Sequence, residues 1–180
     1  VSDFGVGVSY TFDSRDFMLN ASRGWFMQLD LTANPTFLGN NNTYWSAELQ
    51  LATYRKAWRG AIIAGELHTR QSTGQVPWPM LADVGSSNRM RGYYEGRYRD
   101  KNVIDAQVEL RQHIWHRNGI VLWLGAAEVF PRYSDMRFCR ILPNAGVGYR
   151  WQFKKDVNVR LDYGFSRNGT GFIFNINEAF

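Results

Sequence analysis

Met90-Arg91-Gly92-Tyr93-Tyr94, followed by Glu95-Gly96-Arg97-Tyr98-Arg99-Asp100, gathers the groups best suited to specific non-covalent chemistry. A guanidinium beside a glycine and an aromatic ring lets a loop turn sharply while its permanent cation seeks a carboxylate. Glu95 and Asp100 have two readings, as groups that help hold the loop or, better, as ordinary solvated charges. Covalent chemistry has little support. There is no Gly-x-Ser-x-Gly nucleophile elbow. Cys139 is the only cysteine, which excludes an intrachain disulfide and a cysteine-based metal site. His113 and His116 lie three apart in a strand-turn region and face different ways, so His68 and His113 read as members of a polar network. The expectation is a protein that is not an enzyme, with no catalytic residue, no metal and no cofactor.

The elements that must hold this loop announce themselves by alternation. Hydrophobic residues make up 44% of the 180 and aromatics 16%, yet mean hydropathy is −0.39. No apolar run approaches the roughly 20 residues of a membrane helix. The N-terminus lacks the charged and apolar regions of a secretory signal, as expected of a mature chain or a fragment. Nine segments carry apolar residues with a period of two: 3–13, 24–33, 44–58, 60–70, 103–115, 119–130, 144–153, 157–165 and 170–180. In the first, Phe4, Val6, Val8, Tyr10 and Phe12 oppose Asp3, Gly5, Gly7, Ser9 and Thr11. In a later one, Val157, Val159, Leu161, Tyr163 and Phe165 oppose Asn158, Arg160, Asp162 and Gly164.

Such a pattern suits two architectures. In a soluble sandwich the polar face is wet and the apolar face is the core. In a membrane barrel the apolar face meets lipid and the charges line the lumen. Three features favour the barrel. The segments are longer than the about 5–6 residues of an average soluble strand. Aromatics (Trp25, Trp45, Tyr54, Trp58, Trp115, Trp151) cluster at segment ends, and glycines dot the polar face. Short links at 116–118 and 154–156 alternate with long ones at 34–43, 71–102 and 131–143. That is the rhythm of an outer-membrane barrel, with short periplasmic turns and long external loops. The 71–102 loop is therefore expected outside. The fold class expected is all-β, an antiparallel transmembrane β-barrel occupying residues 1–180. The net charge of +5 comes from scattered cations, with no basic run or stripe, so nucleic acid is not an expected partner.

Four stretches in this order resemble the C-terminal barrel region of the BamA/TamA-type outer-membrane family, also called the bacterial surface antigen family. They are Tyr10-x-x-Asp13-Ser14-Arg15-Asp16 with Ser22-Arg23-Gly24, then Arg91-Gly92-Tyr93, then Val108-Glu109-Leu110-Arg111, and finally Phe174-Asn175-Ile176-Asn177-Glu178-Ala179-Phe180. The resemblance implies a loop folded back into the lumen, with Arg91, Gly92 and Tyr93 clamped to the wall and Glu109 a partner of the arginine. It implies an insertion signal at Phe172, Phe174, Ile176 and Phe180. It also implies a bacterial outer-membrane location, with outer-membrane lipids, the barrel assembly machinery and unfolded outer-membrane proteins as partners. One departure concerns a second carboxylate. The family usually has an aspartate where this chain has Gly125, leaving Asp162 or Glu128 to compensate.

Nine strands is an odd number, whereas single-chain bacterial barrels have an even one. The expectation is that these are the C-terminal strands of a larger barrel. Protein insertion or translocation is the function the resemblance implies. Two alternatives stand beside it. One is an anchoring barrel for a larger polypeptide such as a patatin-like lipase. The other is a soluble barrel for a small apolar ligand.

Overall fold

The structure is a computed structural model and describes residues 3–154 and 157–180. Eleven strands form: β1 (Val6–Asp13), β2 (Gly24–Asn34), β3 (Tyr44–Lys56), β4 (Ala61–Gly74), β5 (Ala82–Val84), β6 (Tyr98–Asp100), β7 (Asn102–Trp115), β8 (Asn118–Phe130), β9 (Leu142–Lys154), β10 (Val157–Ser166) and β11 (Gly169–Ile176). Nine of them make one antiparallel sheet in the order β1-β2-β3-β4-β7-β8-β9-β10-β11, and β5 and β6 pair separately. Each strand of the large sheet pairs with its neighbour in sequence, apart from the β5–β6 ribbon inserted between β4 and β7. Among the described residues β1 and β11 each pair on one side only.

The nine alternating segments correspond to the nine strands, with shifted ends. The first strand starts at Val6 rather than 3. The fourth runs to Gly74, past the expected end at 70, because Gln71 to Gly74 stay in register with Tyr44 to Ala47. The segment 71–102 is therefore not all loop: its first four residues are strand and its interior carries the β5–β6 ribbon. The last strand stops at Ile176 because Asn177 adopts φ 72, a left-handed conformation that breaks the pleat.

The alternation separates the two faces as expected of a barrel wall. Phe4, Val8, Trp25, Leu67, Val108, Leu122, Leu124, Phe172 and Phe174 point outward and are exposed. The inward face carries Glu66, His68, Asp105, Gln107, Glu109, Arg111, Arg150, Arg160 and Asp162, all of them buried. So polar groups are more enclosed than apolar ones, the inverse of a soluble domain. Two apolar clusters close the ends of the inward side. At the end of the long connections, Ala82, Val84, Met90 and Tyr93 of the loop pack on Val103, Ala127 and Leu142 of the wall. At the end of the short turns, Ala21, Ala52, Tyr54 and Ala64 pack with Phe26 and Phe180. The charged layer lies between them.

No helix among the described residues is long and apolar enough to cross a membrane, and outward strand faces supply the apolar surface instead. A charge in the middle of that surface should be costly. Leu124→Arg, at a position 70% exposed, is expected to destabilise the protein folded in lipid by about 2–4 kcal/mol in denaturant titrations. A cost within a few tenths of a kcal/mol would mean that this face meets water.

Candidate functional site

The connection between β4 and β7 returns over the inward face of the sheet. Its tip turns on two positive φ angles, Met90 at 50° and Gly92 at 102°. That geometry drives Arg91 toward the wall, where its side chain is wholly buried. Arg91 Nη1 donates to Asp162 Oδ2 on β10 at 2.7 Å, and Nη2 donates to Glu109 Oε1 on β7. Strands lie about 4.8 Å apart, so β7 and β10 would be about 14 Å apart in a flat sheet. Two carboxylates from those strands meet one guanidinium because the wall is concave and long side chains converge from it.

The strands between supply the rest of the cradle. The Arg91 guanidinium lies 3.7 Å from the centroid of the Trp123 ring on β8, a cation–π contact in a water-poor place. Trp123 Nε1 donates to Asn144 Oδ1 on β9 at 2.9 Å. Asn144 Nδ2 in turn donates to the carbonyls of Arg91 and Phe165. The Tyr93 hydroxyl donates to the Pro143 carbonyl at 2.7 Å and accepts from the Arg167 N–H at 3.2 Å. Ser166 Oγ donates to the Gly92 carbonyl at 3.0 Å. The loop tip is thus tied to four consecutive strands of the sheet, β7 to β10.

Glycines make room for it. A Cβ on Gly164 would lie 2.3 Å from the Arg91 carbonyl oxygen, and one on Gly171 would lie 2.9 Å from Gly92 Cα. The loop backbone therefore rests directly on the backbones of β10 and β11. Gly146 leaves space for the Trp123 ring and Gly148 for the Asp162 carboxylate.

Further ion pairs surround the clamp. Arg111 Nε donates to Glu109 Oε2 at 3.0 Å. Arg150 bridges Asp162 and Glu178, with Nε to Glu178 Oε2 at 2.8 Å. Arg160 holds the loop from below, donating to the Ser87 carbonyl at 2.8 Å and to Asn88 Oδ1 at 3.1 Å. Burial opposes ionisation of Glu178, but Arg111 and Arg150 outweigh it and keep its carboxyl below the ordinary glutamate value of 4.5. Farther along the wall, His68 sits between Asp105 (2.7 Å) and Glu48 (3.0 Å) on the two flanking strands.

Arg91, Gly92, Tyr93 and Glu109 come together in this structure, and Asp162 supplies the second carboxylate. Glu128 does not: it lies on the outward face of β8, under the 131–141 connection, where it accepts the Arg137 N–H at 2.7 Å. His68 enters the inward network, whereas His113 is exposed and engages the His116 carbonyl. Phe172, Phe174 and Ile176 share the outward face, but Phe180 turns inward, its ring 6.2 Å from that of Tyr54. Trp123, Asn144, Gly164 and Gly171 were not singled out as site residues. An inward-facing tryptophan in the otherwise very apolar 119–130 segment, and glycines repeated on one face, were the available signals. Among the described residues no group of His, Cys, Asp and Glu could hold a metal.

Residues 1–180 match the family model described as the Omp85 superfamily domain. Among solved structures, the chain resembles the crystal structure of BamA from Haemophilus ducreyi lacking POTRA domains 1-3, with a TM-score of 0.75 at 14% identity. The likeness covers 97% of this chain and 41% of that one, so the chain spans less than half the length of the protein it resembles. No curated protein matches.

Four outcomes follow from the geometry. Arg91→Ala leaves two buried carboxylates without their shared cation and is expected to cost about 3–5 kcal/mol. In double-mutant cycles Arg91 should couple to both Glu109 and Asp162, and additive losses would mean that the pairs do not form. Gly164→Ala should displace the loop without touching a charge, raising proteolysis within 86–97 while the strands persist. Glu178, whose carboxyl titrates lower in the folded state, contributes stability that is complete above 4.5 and lost as pH falls through its folded value. The gap in thermal midpoint between wild type and Glu178→Gln should therefore be widest near neutrality and close in acid. A gap constant from pH 7 to pH 3 would refute that.

Proposed function

Since the chain belongs to the Omp85 superfamily, we propose that it inserts or translocates other polypeptides at the bacterial outer membrane by backbone pairing rather than covalent chemistry. As an Omp85-type outer-membrane barrel it meets lipid with its outward face. In this reading the long connections, including 75–101, face the exterior and the short turns the periplasm. Further strands continue the sheet from β1 into a larger barrel, whose seam lies at the edge of β11. The partners are outer-membrane lipids, the barrel assembly machinery and unfolded outer-membrane proteins.

One observation carries the reading. The clamped loop rests on Gly164 and Gly171 of the last two strands, beside an edge of β11 that has no partner among the described residues. An unpaired edge is a template for another strand. Edges of this kind are usually blunted by charge or proline, whereas β11 (Gly-Thr-Gly-Phe-Ile-Phe-Asn-Ile) has neither. The loop stiffens the wall behind the edge while the edge itself stays available. Neither the family match nor the structural match carries a lipase unit, so the anchoring alternative gains no support from them.

The test is a cross-linking assay in the native protein that carries this chain. With Cys139 changed to Ser, a single cysteine at Asn175→Cys on β11 is paired with cysteines placed along the last strand of an unfolded outer-membrane substrate. Disulfide adducts are expected while the substrate assembles in vesicles and should disappear once it has folded. Efficient assembly with no adduct at any position would sink the edge-pairing reading.

A further inference from the structure

The inward face has a second polar feature that the loop does not use. At the short-turn end a cavity of about 130 Å³ is lined by Arg111, Arg117, Arg150, His113, Gln152 and Glu178, among others. Among the described residues three guanidinium groups there face a single lining carboxylate. Both oxygens of that carboxylate are taken: Glu178 Oε2 accepts from Arg150 Nε and Oε1 accepts from Asn158 Nδ2, each at 2.8 Å. Arg111 spends Nε on Glu109 and Nη2 on the Phe180 carbonyl, both at 3.0 Å. Arg150 spends Nη1 on Asp162 and the Tyr149 carbonyl. One terminal nitrogen on each, Arg111 Nη1 and Arg150 Nη2, is buried with no hydrogen-bond partner among the described residues. Both residues are only 5% exposed.

Buried guanidinium donors without an acceptor are costly, and the cost is removed most directly by an anion. We propose that this cavity is a binding site for one small oxyanion, a carboxylate or a phosphate group. The planar fork of Arg matches the paired oxygens of such groups, and two forks converging from β7 and β9, across β8, give a preformed seat. The volume accommodates a few waters or one such group, not a nucleotide. Arg117, exposed at the rim, guides the anion in. The site lies on the short-turn side of the Arg91 clamp, touching it through Glu109 and Asp162, which Arg111 and Arg150 share with Arg91, and it is independent of the insertion role. The same oxyanion chemistry comes from two sources, a free anion or an acidic side chain presented by another polypeptide.

The experiment follows the thermal midpoint of the native protein in detergent at constant ionic strength. Chloride is replaced stepwise by inorganic phosphate, by acetate, or by N-acetylglutamate amide. The expected result is a saturable rise of at least about 2 °C with an oxyanion and none with chloride. Arg117→Gln, a rim change that leaves the buried pairs intact, should raise the half-saturating concentration several-fold. Gln152→Glu, which supplies a carboxylate from within the cavity lining, should raise the midpoint in chloride and abolish the response. Saturation by phosphate alone assigns a free anion, and tighter saturation by the glutamyl amide assigns an acidic side chain. A midpoint indifferent to all three oxyanions, or an undiminished response in Gln152→Glu, overturns the proposal.

Discussion

A guanidinium shut away from water organises this molecule. Arg91 is fully buried in a wall made of alternating strands, and a charge in that position is tolerable only if it is matched and its donors are occupied. The matching groups cannot come from one strand. Glu109 and Asp162 stand on β7 and β10, with Trp123 and Asn144 between them on β8 and β9. The need to neutralise one cation thus fixes the curvature of four strands, the register that brings their inward positions level, and the place where a long loop must dock. Removing any carboxylate would leave its partners exposed to the same penalty, so the network behaves as a unit rather than a sum of pairs.

The same constraint explains why the inward face is layered. Apolar residues close it at both ends, with Met90 and Tyr93 of the loop at one and Tyr54 with Phe180 at the other. Between these caps the dielectric is low, and ion pairs that would contribute little on a wet surface become decisive. Small residues enable this arrangement. A side chain at Gly148 would occupy the volume of the Asp162 carboxylate, and one at Gly146 that of the Trp123 ring. Glycine weakens a strand through its backbone entropy, so four glycines on one face of three adjacent strands signal close approach by something else. That something is the loop and the groups it engages.

Much of this was legible in the residues. Period-two alternation located all nine strands of the sheet because lipid and lumen make opposite demands on neighbouring side chains, whatever their local propensity. The Arg91-Gly92-Tyr93 tip stood out because a glycine and two aromatics flank a cation in a polar stretch. Resemblance to a known barrel family supplied Glu109. Asp162 could be named only as a candidate, since nothing local links positions 71 residues apart in sequence. Trp123 was harder still. It sits in a segment so rich in apolar residues that its inward direction follows only from its register with Glu109. The turn of Phe180 into the wall depends on the left-handed conformation of Asn177, which asparagine permits but does not announce.

The seating of the loop joins two parts of the molecule that might otherwise be independent. Strands β7 to β9 have neighbours on both sides and derive stability from two ladders each. Among the described residues strand β11 has one ladder, with β10, and its outward face meets lipid, which offers no hydrogen bonds. Contact between the Gly92 backbone and Gly171 gives β11 a second support from the inward side. That support does not consume the edge itself. A strand can therefore be supported from its inward face, independently of what pairs with its edge. Lifting the loop would loosen the last strand, and pulling on the last strand would strain the Arg91 clamp. The buried cation at the centre of the wall and strand β11 at the margin of the described sheet are in this way parts of one mechanical unit, joined through a contact that only glycine allows.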